Sequence, residues 1–312
     1  MFQLYKERNF NTLINDTFGF IKQSGKNYFK NYLIFSGGLL LVLIVLMYLV
    51  GKVFFQSLFT GFATGESPLV DEYFDSESGF FISAAILSVI LILVITLVSF
   101  SFPVHYFKLK EKEETPNTNS ILSLFKQKTG RMIIFGFLFF ITFLPIGIIV
   151  NLISGFLFSI VIGIPVSIIL SASFTAWICL TYFNYLNSDE TYFSAMGTGW
   201  NMLFSNYWAH MGSTAIIYLI TFVAQIILVI IPYIVVMIIA AVNTTSGETD
   251  HTSTLSLMGV MMLVIFILYV VLAYFFGNII MINQALIYYS CKEDQDKQSV
   301  HSEIDLIGSD SE

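Results

Sequence analysis

Four histidines are the residues of this chain best suited to acid–base or metal chemistry. His105 and His210 lie in apolar sequence, whereas His251 and His301 lie in polar sequence. Imidazole binds metals and transfers protons near neutral pH, so two imidazoles at one depth could form a metal site or a proton relay. No carboxylate lies immediately beside His105 or His210 to complete such a site. The alternative is that both are polar residues at a boundary, without a chemical role.

The remaining reactive residues form no recognisable catalytic pattern. Cys179 and Cys291 have no CxxC neighbour, which favours packing residues over a disulfide or a metal site. The chain contains no HExxH, GxSxG or phosphate-loop pattern. The sequence therefore predicts no cofactor and no enzymatic activity.

Long uncharged stretches suit a bilayer better than a soluble core. Between Arg131 and Asp189 lie 57 residues without Asp, Glu, Lys or Arg. A helix crosses the hydrocarbon layer with about 20 apolar residues, so this stretch holds two crossings. The sequence predicts an all-α polytopic membrane protein with six transmembrane helices as three hairpins. The spans are expected at approximately 33–55, 80–107, 132–153, 156–186, 213–242 and 257–290.

The turn between the third and fourth spans is expected near Asn151, Ser154 and Gly155. A helix that starts at Met132 has risen about 30 Å by Ile153, the full thickness of the hydrocarbon layer. These three residues are the turn-forming ones at that distance.

Basic residues flank the predicted spans on one side. Five precede the first span and six lie within 108–131, whereas 56–79 and 243–256 carry none. Lys and Arg are enriched in cytoplasmic connections. We therefore expect residues 1–290 to form one membrane domain, with both termini in the cytoplasm.

Three segments with apolar residues at helical spacing precede the three hairpins. Helices of this kind lie in the headgroup layer with their aromatic rings toward the acyl chains. The residues expected to make this contact are Phe10, Phe18, Ile21, Phe29, Phe125, Trp200, Phe204 and Trp208. The alternative is that each segment only extends the next span into the cytoplasm.

Two short segments near the N-terminus carry a family resemblance. The run Tyr5–Phe10 (YKERNF), the run Asp16–Lys22 (DTFGFIK) and the six-span layout resemble a multi-pass family of Bacteroidetes. The layout is also similar to the membrane domain of some glycerophosphodiester phosphodiesterases, without their catalytic domain. Flavobacterial members often carry the label beta-carotene monooxygenase, which implies an iron held by four histidines. With His251 outside and His301 in the tail, the four histidines here cannot converge on one metal.

Neutral polar residues lie within the predicted spans, which contain no Asp, Glu or Arg. The absence of acids there weighs against ion-coupled transport. Serines and threonines recur in the second and fourth spans, and amides in the sixth. They either hydrogen-bond neighbouring helices or line a path for a lipid or solute.

The segment 291–312 is acidic and rich in serine. Solvated disorder is the ordinary state of such a composition. A segment that binds a partner through Ile304, Leu306 and Ile307 is the alternative.

Together these features favour a non-enzymatic membrane protein that serves as an accessory or assembly subunit of a larger complex. Its expected partners are the lipid bilayer and other membrane subunits, because no basic stripe suits nucleic acid. One alternative is a transporter or lipid-handling protein that uses the polar faces of the second and fourth spans. Another is a membrane enzyme with a site near His105 and His210.

Overall fold

The computed structural model describes residues 2–64, 68–112, 115–160, 163–245 and 251–309. Side chains at 56–57, 59–78, 81, 240, 243–254, 296 and 298–309 are not described. The described residues form eight α-helices and no strand. The helices are α1 (Phe10–Thr64), α2 (Pro68–Glu111), α3 (Thr118–Ile141), α4 (Phe143–Phe158), α5 (Gly163–Asn187), α6 (Tyr192–Ser205), α7 (Tyr207–Thr245) and α8 (His251–Ser309).

Five helical stretches in the described chain are long and apolar enough to cross a membrane. They are Phe10–Phe55, Ile82–Glu111, Gly163–Asn187, Tyr207–Ile239 and Leu255–Gln295. A sixth crossing results if α3 and α4, which are bent by 46° relative to each other, act as one span. The prediction of an all-helical, multi-pass membrane protein is confirmed.

The bend between α3 and α4 has an identifiable cause in Pro145. A proline inside a helix has no N–H to donate, and its ring clashes with the carbonyl four residues earlier. That carbonyl belongs to Ile141, the last residue of α3. The Thr142 hydroxyl then donates to the Leu138 carbonyl oxygen at 2.9 Å, which satisfies one of the carbonyls at the end of α3.

The prediction of a turn at Asn151–Gly155 is wrong. Helix α4 continues through these residues to Phe158, and α5 begins only at Gly163. The Asn151 amide donates to the Gly147 carbonyl oxygen of the preceding helical turn at 2.8 Å, so the side chain stays compatible with the helix. Pro165 lies in the first turn of α5, where a missing N–H costs little.

The three segments that precede the predicted hairpins differ from one another. The first and second are continuous with the next apolar stretch, within α1 and α3. The third is a separate helix, α6, which ends where Asn206 leaves helical geometry at φ −144° and ψ 63°. The extension alternative therefore describes the first two segments and not the third.

The described chain divides into two compact units. The first contains residues 1–32, 100–220 and 278–312, and the second contains residues 33–99 and 221–277. Helices α1, α2, α7 and α8 each contribute one segment to both.

Aromatic rings form the core of the first unit where α1 meets α2. Phe20 stacks on Phe107 with centroids 4.8 Å apart, and Tyr28 packs edge-on against Phe102 and Tyr106. All five side chains are fully buried. Aromatic pairs in these geometries contribute about 0.5–1.5 kcal/mol beyond their area, so they fix the register of α1 against α2.

The second unit has a small core and a large apolar surface. Leu40, Leu43 and Ile95 are buried in it, with Val270 and Tyr274 packed against them. Most other apolar side chains of these helices are exposed. Soluble monomers rarely expose apolar patches beyond a few hundred Å², so this surface is that of a protein solvated by lipid.

Helix α8 continues well beyond the apolar residues. The described part of the segment 291–312 is helical to Ser309 as the continuation of α8, and the prediction of solvated disorder for this segment stays a prediction. No Gly or Pro occurs between Asn278 and Ile307 to interrupt the helix. Lys297 pairs with Glu293 one turn earlier at 3.5 Å and with Glu7 at 2.9 Å. Ile304, Leu306 and Ile307 lie outside the described side chains.

The non-helical segment 2–9 is held in place by the buried Arg8 guanidinium. Nη1 and Nη2 donate to the carbonyl oxygens of Leu4 and Gln3 at 2.7 Å each, and Nε donates to Asp16 at 2.9 Å. Burial lowers the pKa of Arg8, and the Asp16 carboxylate opposes that shift. Nearby, Tyr5 donates to Glu111 at 2.6 Å. The charge of Arg8 is thus used to order the N-terminal segment.

The substitution Arg8→Gln tests this role. Loss of the guanidinium leaves buried carbonyls unpaired, so we expect a loss of about 1–3 kcal/mol in the free energy of unfolding. Hydrogen exchange should become faster in residues 2–9. The matched control is Lys6→Gln, because Lys6 also pairs with Asp16, at 3.3 Å, but is exposed. Exposed pairs contribute about 0–1 kcal/mol, and equal effects of the two changes would contradict the ordering role of Arg8.

Candidate functional site

His210, near the start of α7, is buried and hydrogen-bonded on both sides of its ring. Nδ1 lies 3.3 Å from the Leu203 carbonyl oxygen, which can only accept, so Nδ1 carries the proton. Nε2 is then an acceptor and lies 3.8 Å from the Cys291 sulfur. The same sulfur lies 3.6 Å from the Met202 carbonyl oxygen, and its single proton can be donated to only one of these two acceptors at a time. These contacts join α6, α7 and α8 and leave His210 no side open to a ligand.

His105, on α2, lies in a different environment. Its ring packs edge-on against Phe125 with centroids 4.6 Å apart. Nε2 is buried and has no hydrogen-bond partner among the described residues. The structure therefore places His105 and His210 in separate clusters and does not unite them in one site.

Metal-ligating residues do not converge in the described part of the chain. There, no group of three or more His, Cys, Asp or Glu side chains could hold a metal ion. Cys179 and Cys291 are both buried and free. The Cys179 sulfur lies 3.6 Å from the Met281 sulfur, across the α5–α8 contact. Both cysteines pack between helices, in agreement with their interpretation as packing residues.

Buried amides connect the helices of the first unit. Asn283 donates to Thr17 at 3.2 Å, and Gln284 donates to Thr214 at 2.7 Å. Elsewhere on α8, the Asn278 oxygen accepts from Tyr28 at 2.9 Å. The three amides do not titrate and bond to hydroxyl groups of other helices, so their chemistry is that of interhelical hydrogen bonds.

Four hydroxyl side chains of the second and fourth predicted spans have partners within the helix bundle. Ser88 and Ser167 bond to carbonyl oxygens of their own helices, at 2.7 and 2.8 Å. Thr96 contacts the Tyr274 hydroxyl at 3.1 Å, and Ser101 contacts the Tyr182 hydroxyl. The hydroxyls are thus engaged in local or interhelical bonds, which favours the packing interpretation.

Arg131 joins α3 to the connection between α5 and α6. Nη2 donates to the carbonyl oxygens of Tyr185 and Glu190 at 2.6 Å each, and Nε donates to Tyr185 at 3.1 Å. The guanidinium also lies 4.1 Å from the centroid of the Tyr185 ring. Arg131 therefore ties the middle of α3 to the end of α5 and to the connection that leads into α6.

Helix α6 lies directly against α5 because Gly199 has no side chain. A Cβ at Gly199 would come 2.5 Å from the Thr181 hydroxyl oxygen and 2.7 Å from its backbone nitrogen. The Trp177 indole N–H donates to the Met196 carbonyl oxygen at 3.0 Å beside this contact. The Thr181 hydroxyl oxygen finds no conventional partner, and a Cα–H of Gly199 fits the close approach.

The residues expected to face acyl chains have mixed surroundings. Trp200, Phe204, Trp208, Phe10 and Phe18 are exposed, whereas Ile21 and Phe29 are half-buried. Phe125 is buried against His105, so the expectation that its ring faces lipid is wrong. The physical reason is that α3 uses this ring to pack on α2.

An open groove lies between α7 and α8 in the second unit. Its volume is about 250 Å³, and its walls are almost entirely apolar. Gln225 is its one amide and donates to the Tyr269 carbonyl oxygen at 3.0 Å. The other lining residues are Phe222, Ile226, Val229, Ile230, Tyr233 and Tyr269.

Sequence reasoning missed three residues that the structure makes important: Gly199, Arg131 as a helix clamp, and Gln225. The signal for Gly199 was a glycine within an aromatic-rich helical pattern, which commonly marks close helix approach. Gln225 was visible as an amide in an otherwise apolar run. Nothing local in the sequence indicates the carbonyl partners of Arg131.

No family model matches the chain, and comparison with curated proteins and with solved structures gives no match. The resemblance to the six-span Bacteroidetes family therefore stays a prediction.

The contact between α5 and α6 is tested by Gly199→Ala. A methyl group there must displace Thr181, so we expect a loss of about 1–3 kcal/mol in the free energy of unfolding. The near-ultraviolet signal of Trp177 should change with it. Gly197→Ala is the matched control, because nothing lies within 4 Å of a Cβ at that position. Alanine in place of an exposed helical glycine is neutral or stabilising by about 0.5–1 kcal/mol, and a Gly199→Ala protein as stable as this control would refute the close packing.

Proposed function

We propose that this chain is a non-enzymatic, multi-pass protein of a bacterial inner membrane that serves as an accessory or assembly subunit of a larger membrane complex. The observation that carries the proposal is the contrast between its interior and its surface. In the described interior, His210 contacts Cys291 and the buried amides bond to neighbouring hydroxyls, whereas the apolar helix faces are extensively exposed.

The interior supports a structural role. His210, Cys291, Asn283 and Gln284 make their contacts within the helix bundle. A catalytic pair needs a nucleophile and a base that face a space for substrate. The His210–Cys291 contact is buried on all sides, which favours a hydrogen bond that fixes α7 against α8.

The surface supports assembly with other membrane components. Phe137, Leu152 and Phe156 on α3 and α4 are about two-thirds exposed or more. On α7, apolar side chains from Phe222 to Ile238 are exposed around most of the helix. Membrane helices associate through packing of such faces, and lipids cover those that remain free.

The topology proposed with this function has six crossings and both termini in the cytoplasm. It is supported by the distribution of Lys and Arg and requires that the bent α3–α4 pair crosses once. The helical continuation of α8 then projects into the cytoplasm, where its C-terminal residues can reach a partner.

A lipid-handling function is the second candidate, because the groove between α7 and α8 is apolar and open. Its volume of about 250 Å³ lies below the roughly 300–1,000 Å³ of ordinary ligand pockets, so the groove suits a short stretch of acyl chain rather than a whole lipid. Gln225 could orient a hydroxyl or ester group at its edge. In this candidate function the lipid binds in the groove between α7 and α8, and not on the polar faces of the second and fourth predicted spans.

The accessory role is tested by native mass measurement of the tagged chain after mild solubilisation. We expect a complex with partner subunits at a fixed ratio, whereas an unrelated inner-membrane protein with the same tag should not retain them. Deletion of 298–312 leaves the Lys297–Glu7 pair in place and should release the partner if the tail binds it. A chain that is recovered alone, with lipids only, would contradict the accessory role.

The lipid-handling candidate is tested by Val229→Trp, which fills the groove. If the groove holds an acyl chain, lipid that remains bound through delipidation should fall at least several-fold. Leu228→Trp is the matched control, because Leu228 is exposed on α7 but does not line the groove. Equal lipid retention in the two variants would exclude the groove as the lipid site.

A further inference from the structure

The exposed aromatic side chains around α6 form one surface. Exposure is 66% for Phe193, 45% for Trp200, 48% for Phe204 and 71% for Trp208. Trp200 contacts Phe204 with centroids 4.6 Å apart, and Phe204 stacks on Tyr207 next to Trp208. Phe193, Trp200 and Phe204 share one side of α6, because residues four and seven apart lie on the same helix face, and this is not the side that carries the buried residues of α6.

Phe10 extends this surface onto α1. A Cβ at Gly212 would meet the Phe10 ring at 3.1 Å, so the ring lies on α7 at that residue. Residues 208 and 212 share one face of α7 because they are four apart. Phe10 is 37% exposed and therefore belongs to the same surface as Trp208. We call Phe10, Phe193, Trp200, Phe204 and Trp208 the aromatic face.

The length and connections of α6 restrict what can cover the aromatic face. Its 14 residues rise about 21 Å, less than the 30 Å or so of a hydrocarbon layer. Four residues join it to α5 and one joins it to α7, and both of those helices are long enough to cross. Helix α6 must therefore stay at the edge of the layer, beside the ends of two crossing helices.

Charge distinguishes this face from the basic connection 108–131. No Asp, Glu, Lys or Arg occurs between Thr191 and Gly247. Attraction to anionic headgroups needs clustered Lys or Arg, whereas Trp and Tyr prefer the headgroup region for their amphipathic rings. The face is suited to insertion into a lipid surface of any headgroup charge.

We propose that the aromatic face is inserted into the headgroup–acyl boundary of one leaflet, as a rigid, charge-independent lipid anchor. Its rigidity follows from the Gly199–Thr181 contact and the Trp177–Met196 hydrogen bond. The inference does not rest on the accessory role, because it concerns lipid rather than a partner subunit.

The test places a nitroxide spin label at Trp208→Cys in the full chain, reconstituted in phosphatidylcholine nanodiscs. Native Cys179 and Cys291 are buried, and the unmodified chain shows whether they react. Collision with lipid-soluble oxygen should exceed collision with a water-soluble nickel chelate. The matched control is Ser123→Cys on α3, an exposed position expected in the cytoplasm. The oxygen-to-nickel ratio should be several-fold higher at 208 than at 123, with or without added anionic lipid.

Two results would overturn the proposal. Dominant collision with nickel at 208 would place the face in water, and exclusion of both reagents would mean that protein covers it. Native tryptophan fluorescence gives an independent measurement if the cysteine variant does not fold. Phosphatidylcholine brominated near the headgroup should quench it, whereas aqueous iodide should not, and the reverse pattern would count against insertion.

Discussion

A hydrocarbon layer offers no water to polar groups, so each must find a partner within the protein. The long helices satisfy their backbones internally, and the side chains follow the same constraint. Asn151 bonds to its own helix, Gln225 bonds to a carbonyl of α8, and Gln284 bonds to Thr214. These three amides are thereby engaged without a chemical role, whereas His105 Nε2 and the Thr181 hydroxyl are buried without a partner among the described residues.

The same constraint explains where regular helix is interrupted. Pro145 leaves the chain bent at Thr142, and the threonine hydroxyl restores a bond to Leu138 and contacts Tyr192 at 2.5 Å. Asn206 separates α6 from α7, and its carbonyl accepts the first helical bond of α7 from His210 at 3.0 Å. At each interruption, a hydrogen bond within the protein thus satisfies a carbonyl group near the helix end.

Much of the fold could be predicted from the sequence, because long stretches without charged residues indicate apolar helices. The bend between α3 and α4 follows from Pro145. The turn lies after Phe158 and not at Asn151, because the Asn151 amide bonds to a carbonyl of its own helix. Helix α8 continues past Cys291 because of the helix propensity of the residues there. That propensity is not evident from their acidic composition. Phe125 was misplaced because spacing identifies the apolar face of a helix but not whether lipid or another helix covers it.

The candidate site was less predictable than the fold. His105 and His210 share a depth in the sequence pattern, yet their rings face different neighbours, and only three-dimensional packing distinguishes the two. Contacts such as that of Gly199 with Thr181 depend on how closely the backbones of two helices approach each other, and residue types are a weak indication of that distance. The residues that organise the molecule are therefore small or buried ones rather than those with the most reactive side chains.

The number of membrane crossings is the central claim, and it depends on whether the bent α3–α4 pair passes through the layer. Six crossings place the two termini on one side, whereas five place them on opposite sides. Protease-accessible tags at each terminus, assayed in intact spheroplasts and in inverted vesicles, measure this directly. We expect both tags to be cleaved in inverted vesicles and protected in spheroplasts. Cleavage of one tag in each preparation would contradict the six-span topology and the orientation derived from it.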